Sequence, residues 1–194
     1  WQATTTRTTD GSDMTQRTTA AIAALLADNS TALISPQDLR DAFDSWRNGH
    51  GQIYVPAAAS AAITISDSTN YFEATAPAWT LSAGGHMFDE SGGNGRLTYI
   101  GTEPMTAHIA LSMSMTVAGS NDVTHWRIGV NGTSDEASEI QRKVGSGSDV
   151  GALAAHLITT VTNGDYISVW CRNSTTTNNV NVETANLQVV SMIQ

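Results

Sequence analysis

Between Ala107 and Ala118 the chain alternates apolar and small polar positions for twelve residues. Ala107, Ile109, Leu111, Met113, Met115 and Val117 fall on one side, and His108, Ala110, Ser112, Ser114, Thr116 and Ala118 on the other. A period of two predicts a β-strand with one apolar face. At ~3.4 Å per residue it would span about 40 Å, roughly twice a typical strand. Burying its large odd side chains would contribute on the order of 10 kcal/mol before entropy is subtracted. A solvent-facing strand normally carries Lys, Glu or Arg on its polar side, and here that side carries Ala, Ser and Thr. Small uncharged side chains suit a surface that another sheet or another subunit approaches closely. An exposed sheet face that is merely Ser-rich is the competing reading.

Upstream the period changes. Residues 1–13 are Thr-rich without a hydrophobic repeat, which predicts an extended arm or an unstructured end, and Trp1 reads equally as a side chain that docks into a groove on a partner or as part of a frayed terminus. From Met14 to Asn29, Ala20, Ala21, Ala23, Ala24 and Ala27 favour helix, and Ile22, Leu25 and Leu26 form a stripe at i, i+3, i+4. So short a helix needs a partner, either its own copies around an axis or the domain behind it. A second helix starts at Ser35 as N-cap, with Pro36 at its first position and Asp38 where a capping box places its acidic residue. Leu39, Phe43 and Trp46 share its apolar face, and Asn48-Gly49 ends it.

After Gly51 the pattern is β throughout. Short strands are expected over 61–66 and 78–81, then over 96–101, ahead of the long strand. Further strands follow over 123–130, 139–144, 152–162 and 166–172, and a last one over 179–192 is long enough to require a bulge. Asn131-Gly132 signals a hairpin, and Asn163-Gly164-Asp165 reads as a second one. Seven or more strands with frequent turns predict an antiparallel sandwich.

Composition narrows the function. Of 194 residues only 14% are charged, the net charge is −9, and Lys143 is the single lysine, so no basic stripe exists to track phosphates and nucleic-acid binding is disfavoured. No apolar run is long enough to span a membrane and no signal-peptide pattern opens the chain, so no membrane insertion is expected. Cys171, the one cysteine, excludes an intrachain disulfide and reads as a core residue. The five histidines (50, 86, 108, 125, 156) show no metal-ligand spacing. Asp135, Glu136 and Glu139 read as a solvated acidic turn rather than a calcium site. No nucleophile elbow, P-loop, dinucleotide fingerprint or paired carboxylates are evident, so neither an enzyme nor a cofactor is expected.

The run Gly95-Arg-Leu-Thr-Tyr-Ile-Gly101, the long strand, Asn131-Gly-Thr133, the Gly-rich stretch 145–151 and Asn163-Gly-Asp-Tyr-Ile167 occur in an order that resembles the C1q/TNF-like jelly roll of bacteriophage fibre and head-decoration proteins. The resemblance covers roughly residues 60–194. Ile34 to Asp41 is separately similar to a short helix near the base of many phage structural proteins. Together these imply a mainly β chain: a C1q/TNF-like antiparallel jelly-roll sandwich preceded by an arm and two short α-helices. Residues 1–50 would be the virion anchor and trimerisation segment, and 51–194 the C-terminal knob. The family implies a homotrimer with one sheet of each sandwich facing the threefold axis. Interface residues would be Ile22, Leu25, Leu26, His108, Ala110, Ser112 and Ser114, and anchor residues Trp1, Leu39, Phe43 and Trp46. The implied partners are other virion proteins, capsid or tail, and a host-surface glycan or receptor, with the protein at the virion surface. Whether it sits on head or tail stays open. A free secreted C1q-like binding module and a glycan-degrading virion enzyme are the alternatives.

Overall fold

The alternating stretch becomes the longest strand of a two-sheet sandwich in the computed structural model, which describes residues 48–90, 93–145 and 149–192. The expected arm and helices, with Trp1, Ile22, Leu25, Leu26, Leu39, Phe43 and Trp46, lie outside the described residues.

The strands are β1 (His50–Val55), β2 (Ala61–Ile63), β3 (Phe72–Glu73), β4 (Thr80–Leu81), β5 (Phe88–Asp89), β6 (Leu97–Tyr99), β7 (Met105–Val117), β8 (Asp122–Val130), β9 (Thr133–Ser134), β10 (Ile140–Val144), β11 (Gly151–Val161), β12 (Tyr166–Asn173) and β13 (Val180–Ser191). One sheet has the order β11-β7-β13-β1-β4, with β2 also on β13. The other has the order β10-β8-β12-β6-β5, with β3 on β12 and β9 on β8. Every pairing is antiparallel. Consecutive long strands alternate between sheets, the arrangement of a jelly roll.

The core is made by the inward side of each strand. Met105 to Val117 at odd positions pack with Val182, Leu187 and Val189 of β13, and across the sandwich with Trp126, Ile128, Ile167, Val169 and Cys171. Trp126 is wholly buried and its indole N–H donates to Thr124 Oγ1 at 3.1 Å, so the largest core side chain leaves no polar atom unpaired. β13 carries the expected irregularity, a register shift between Val182 and Thr184.

Two expectations are corrected. Asn163-Gly164-Asp165 does not close a hairpin: β11 belongs to the first sheet and β12 to the second, so the turn carries the chain across the sandwich. Pairing follows long-range packing, since β11 runs along β7 from Gly151↔Met115 to Val161↔Met105. β1 was not anticipated as a strand, although Gly51, Ile53 and Val55 face inward. Its glycine is required by a close approach, because a Cβ at Gly51 would sit 2.6 Å from Phe88 Cβ. The Asn131-Gly132 hairpin does form, with φ of 51° and 80°, the left-handed pair a tight turn needs.

Candidate functional site

The outer face of the first sheet differs sharply from that of the second. Its cross-strand rows follow from the register. Ile158, His108, Val190 and His50 form one row; His156, Ala110, Gln188 and Gln52 the next; Ala154, Ser112, Asn186 and Tyr54 a third; Ala152, Ser114 and Thr184 a fourth. These four strands present no Lys, Arg or Asp on that face. Its single carboxylate is Glu183, at one end, where Thr116, Asn181 and Ser60 donate to it at 2.7, 2.7 and 3.4 Å. Those donors hold its carboxyl below the ordinary value. His108, Ala110, Ser112 and Ser114 all lie here, and Ser112 is exposed at the centre.

Two features break the flatness of this face. Ile158 stands on edge strand β11, 59% exposed. At the opposite side, His50, Gln52, Gln188 and Val190 with the loop Ser82–Gly85 line a hollow of about 250 Å³. Ile158 and the hollow share a row. An uncharged edge strand eleven residues long invites another chain unless something covers it.

The charges are gathered on the second sheet. Glu139 accepts from His125 Nδ1 at 2.9 Å, Arg127 Nε at 2.8 Å and Tyr71 Oη at 2.8 Å. Burial pushes its carboxyl up, but these three donors outweigh burial and hold it at about 2. Burial and the bond to Glu139 push the Tyr71 hydroxyl up to about 12. Arg127 and Arg172 both lie over the Tyr71 ring, 4.3 and 5.0 Å from its centroid. Arg96 forms a fork to Glu73 at 3.0 and 2.7 Å. Glu139 is therefore no part of a solvated acidic turn. Only Asp135 and Glu136 stay with the loop, where Asp135 caps Ala137 N–H at 2.8 Å. Because the Glu139 carboxyl is held low, its contribution is complete above the ordinary value of 4.5 and is lost as pH falls toward 2. Glu139→Gln should cost about 1–3 kcal/mol at neutral pH and flatten the acid limb of urea unfolding.

One constellation escaped the sequence. Since Glu139 only accepts, His125 Nδ1 carries the hydrogen and Nε2 faces Ser174 Oγ at 2.9 Å. The order Ser174–His125–Glu139 is that of a nucleophile, base and orienting acid. The surroundings do not complete it. The Ser174 N–H donates to Val123 O, and those of Thr175 and Thr176 donate to Asn173 Oδ1, leaving none of these donors for an oxyanion. Arg172 Nη2 lies 3.2 Å from His125 Nδ1. The arrangement works as a staple between β8, β10 and the loop after β12. Among the described residues no group of three His, Cys, Asp or Glu could hold a metal ion.

No protein-family model and no curated protein matches the sequence. Among solved structures, Eiger TNF from S. frugiperda aligns with a TM-score of 0.54 at 9% identity, over 76% of this chain and 94% of that one. The fold is TNF-like. Murine APRIL at pH 5.0 aligns with a TM-score of 0.49 at 10% identity, over 74% of this chain and 99% of that one. The sandwich and its two antiparallel sheets are thus those expected of a C1q/TNF-like jelly roll, and at such identity the likeness extends to the fold alone.

Proposed function

We propose that this chain is a structural homotrimer of a phage particle, anchored by its N-terminal segment and presenting the jelly-roll knob. The observation that carries the assembly is the uncharged outer face of the first sheet, set against the ion-paired face of the second. A threefold axis parallel to the strands keeps height constant, so a knob and its socket must share a row. Ile158 and the hollow beside His50 and Val190 meet that condition at opposite edges of one sheet. Each copy would place β11 and Ile158 against the next copy's hollow, covering the exposed edge and closing a ring.

The virion role draws on the sequence resemblance and on a Thr/Ser/Asn/Gly-rich, lysine-poor composition. The chain comes in at Asn48, at the end with the turns at 100–104 and 162–165. The turns at 118–121 and 174–179 lie at the opposite end, where an anchored knob would offer them to a host glycan or receptor.

Native mass measurement of the full chain should give three times 20.5 kDa. A stable monomer would overturn the assembly. Ile158→Asp should raise the dissociation constant by about 100-fold or more, since it places a carboxylate in an uncharged socket. Gold-labelled antibody against the knob should decorate particles of the phage that encodes it, and unlabelled particles would overturn the virion role.

A further inference from the structure

Two of the histidines meet on the outer face of the first sheet. His108 Nε2 and His156 Nδ1 are 3.2 Å apart, their ring planes differ by 6°, and their centroids are 5.3 Å apart. Rings lying one above the other would have centroids about as close as their nitrogens. Here the centroids are much further apart, so the imidazoles lie edge to edge in nearly one plane, joined by one N–H···N hydrogen bond.

That bond has room for one hydrogen. In the neutral pair one nitrogen donates and the other accepts. A first added proton goes to a nitrogen facing away and leaves the bond in place, now charge-assisted. A second gives both facing nitrogens a hydrogen, so two N–H groups and two positive charges confront each other. In a free chain either ring can swing into water. Beneath a neighbouring copy it cannot.

Among the described residues around the pair, none carries a charge of opposite sign. The outward neighbours are Thr106 and Ala110 on β7, Ala154, Ile158 and Thr160 on β11, and Gln188 and Val190 on β13. Among the described residues, the remaining titratable groups on this face are His50 and Tyr54 on β1, with His86 against His50, and Glu183 at the far end. The ring nitrogens Nδ1 and Nε2 of His50 lie 2.9 and 3.0 Å from the carbonyl oxygens of Asn48 and Gly84.

We propose that the His108–His156 pair is an acid-operated release for the assembly, closed while the rings share one hydrogen and opened when both are charged. It rests on the trimer proposed above. The sign follows from linkage: assembly disfavours the doubly protonated pair, separated chains bind more protons, and lowering pH favours dissociation. One additional proton on each of three pairs raises the trimer's dissociation constant by up to about a thousandfold per pH unit within the window where that proton binds.

Sedimentation velocity of the full chain between about pH 8 and about pH 5 tests this, with His108→Gln and His156→Gln removing the second charge but keeping a hydrogen-bonding side chain. The wild-type chain should be a trimer at the upper limit and separate, still folded by circular dichroism, toward the lower. Either variant should stay trimeric throughout, and His50→Gln should leave the transition in place. A wild-type trimer indifferent to acid, or variants that separate alongside it, would overturn the release and leave the trimer standing. A shift caused by His50→Gln alone would assign the transition to the wrong histidine. A monomer at the upper limit would overturn the trimer, and the release with it.

Discussion

Ser112→Arg is expected to yield a folded monomer. Ser112 is exposed in the row Ala154, Ser112, Asn186, Tyr54, at the centre of the outer face of the first sheet. In an isolated chain an arginine there extends into water, and its effect on folding should stay within about 0.5 kcal/mol. In the closed assembly three guanidinium groups would enter a face without a carboxylate in that row. Glu183, the one acidic group on the face, is already engaged by Thr116, Asn181 and Ser60. Desolvating an unpaired ion costs several kcal/mol, so the dissociation constant should rise by more than about 1,000-fold. Light scattering on a sizing column, with circular dichroism as the folding control, reads both halves of the prediction. A variant as trimeric as the wild type would leave this face in solvent and remove the basis of the proposed assembly.

The long strand was legible because its period of two persists for thirteen residues, from Met105 to Val117, and one face is uniformly apolar. Strands β7, β8, β10, β11, β12 and β13 fall within a residue or two of their expected bounds for the same reason. The two-residue strands β3, β5 and β9 could not be seen, since a pair of residues has no period. Which sheet each strand joins was equally hidden. Asn163 to Asp165 has the chemistry of a hairpin, yet the strands it connects pair elsewhere, because turn chemistry is local and sheet membership is decided by partners far along the chain.

The same limit applied to the polar groups. His108 and His156 are far apart in sequence and meet because Ile158↔His108 and His156↔Ala110 are registered pairs. His125 and Glu139 meet because β10 folds back on β8. Spacing along the chain carries neither pair. What the sequence did carry was the absence of charge on one face of the long strand, a one-dimensional property that became two-dimensional once β11 and β1 added uncharged faces and β13 a face whose single carboxylate, Glu183, lies at one end.

Asp122→Ala should be the most damaging single change to the far end of the knob, costing about 3–5 kcal/mol. Asp122 is 1% exposed, and one of its oxygens, Oδ2, accepts from Asn173 Nδ2, Thr176 Oγ1 and Asn178 Nδ2, each at 3.0 Å. Asn173, itself fully buried, also donates to Asn178 O and accepts from the Thr175 and Thr176 N–H groups. One carboxylate therefore ties the turn after β7 to the long turn between β12 and β13. Gly119 is part of the knot, since a side chain there would collide with Asn178 and Asp122. Alanine removes the acceptor these three donors share, at a place where Asn173 is fully buried and Thr176 and Asn178 are half-buried, whereas Asp122→Asn keeps an acceptor in the same position and should cost about half as much. Urea unfolding at fixed chain concentration separates the two, because an assembled protein's midpoint moves with concentration. A loss below about 1 kcal/mol for alanine would mean that the turns hold themselves. If the larger loss is seen, the loops that an anchored knob would offer to a host surface are rigid before they meet it, which lowers the entropy lost on attachment.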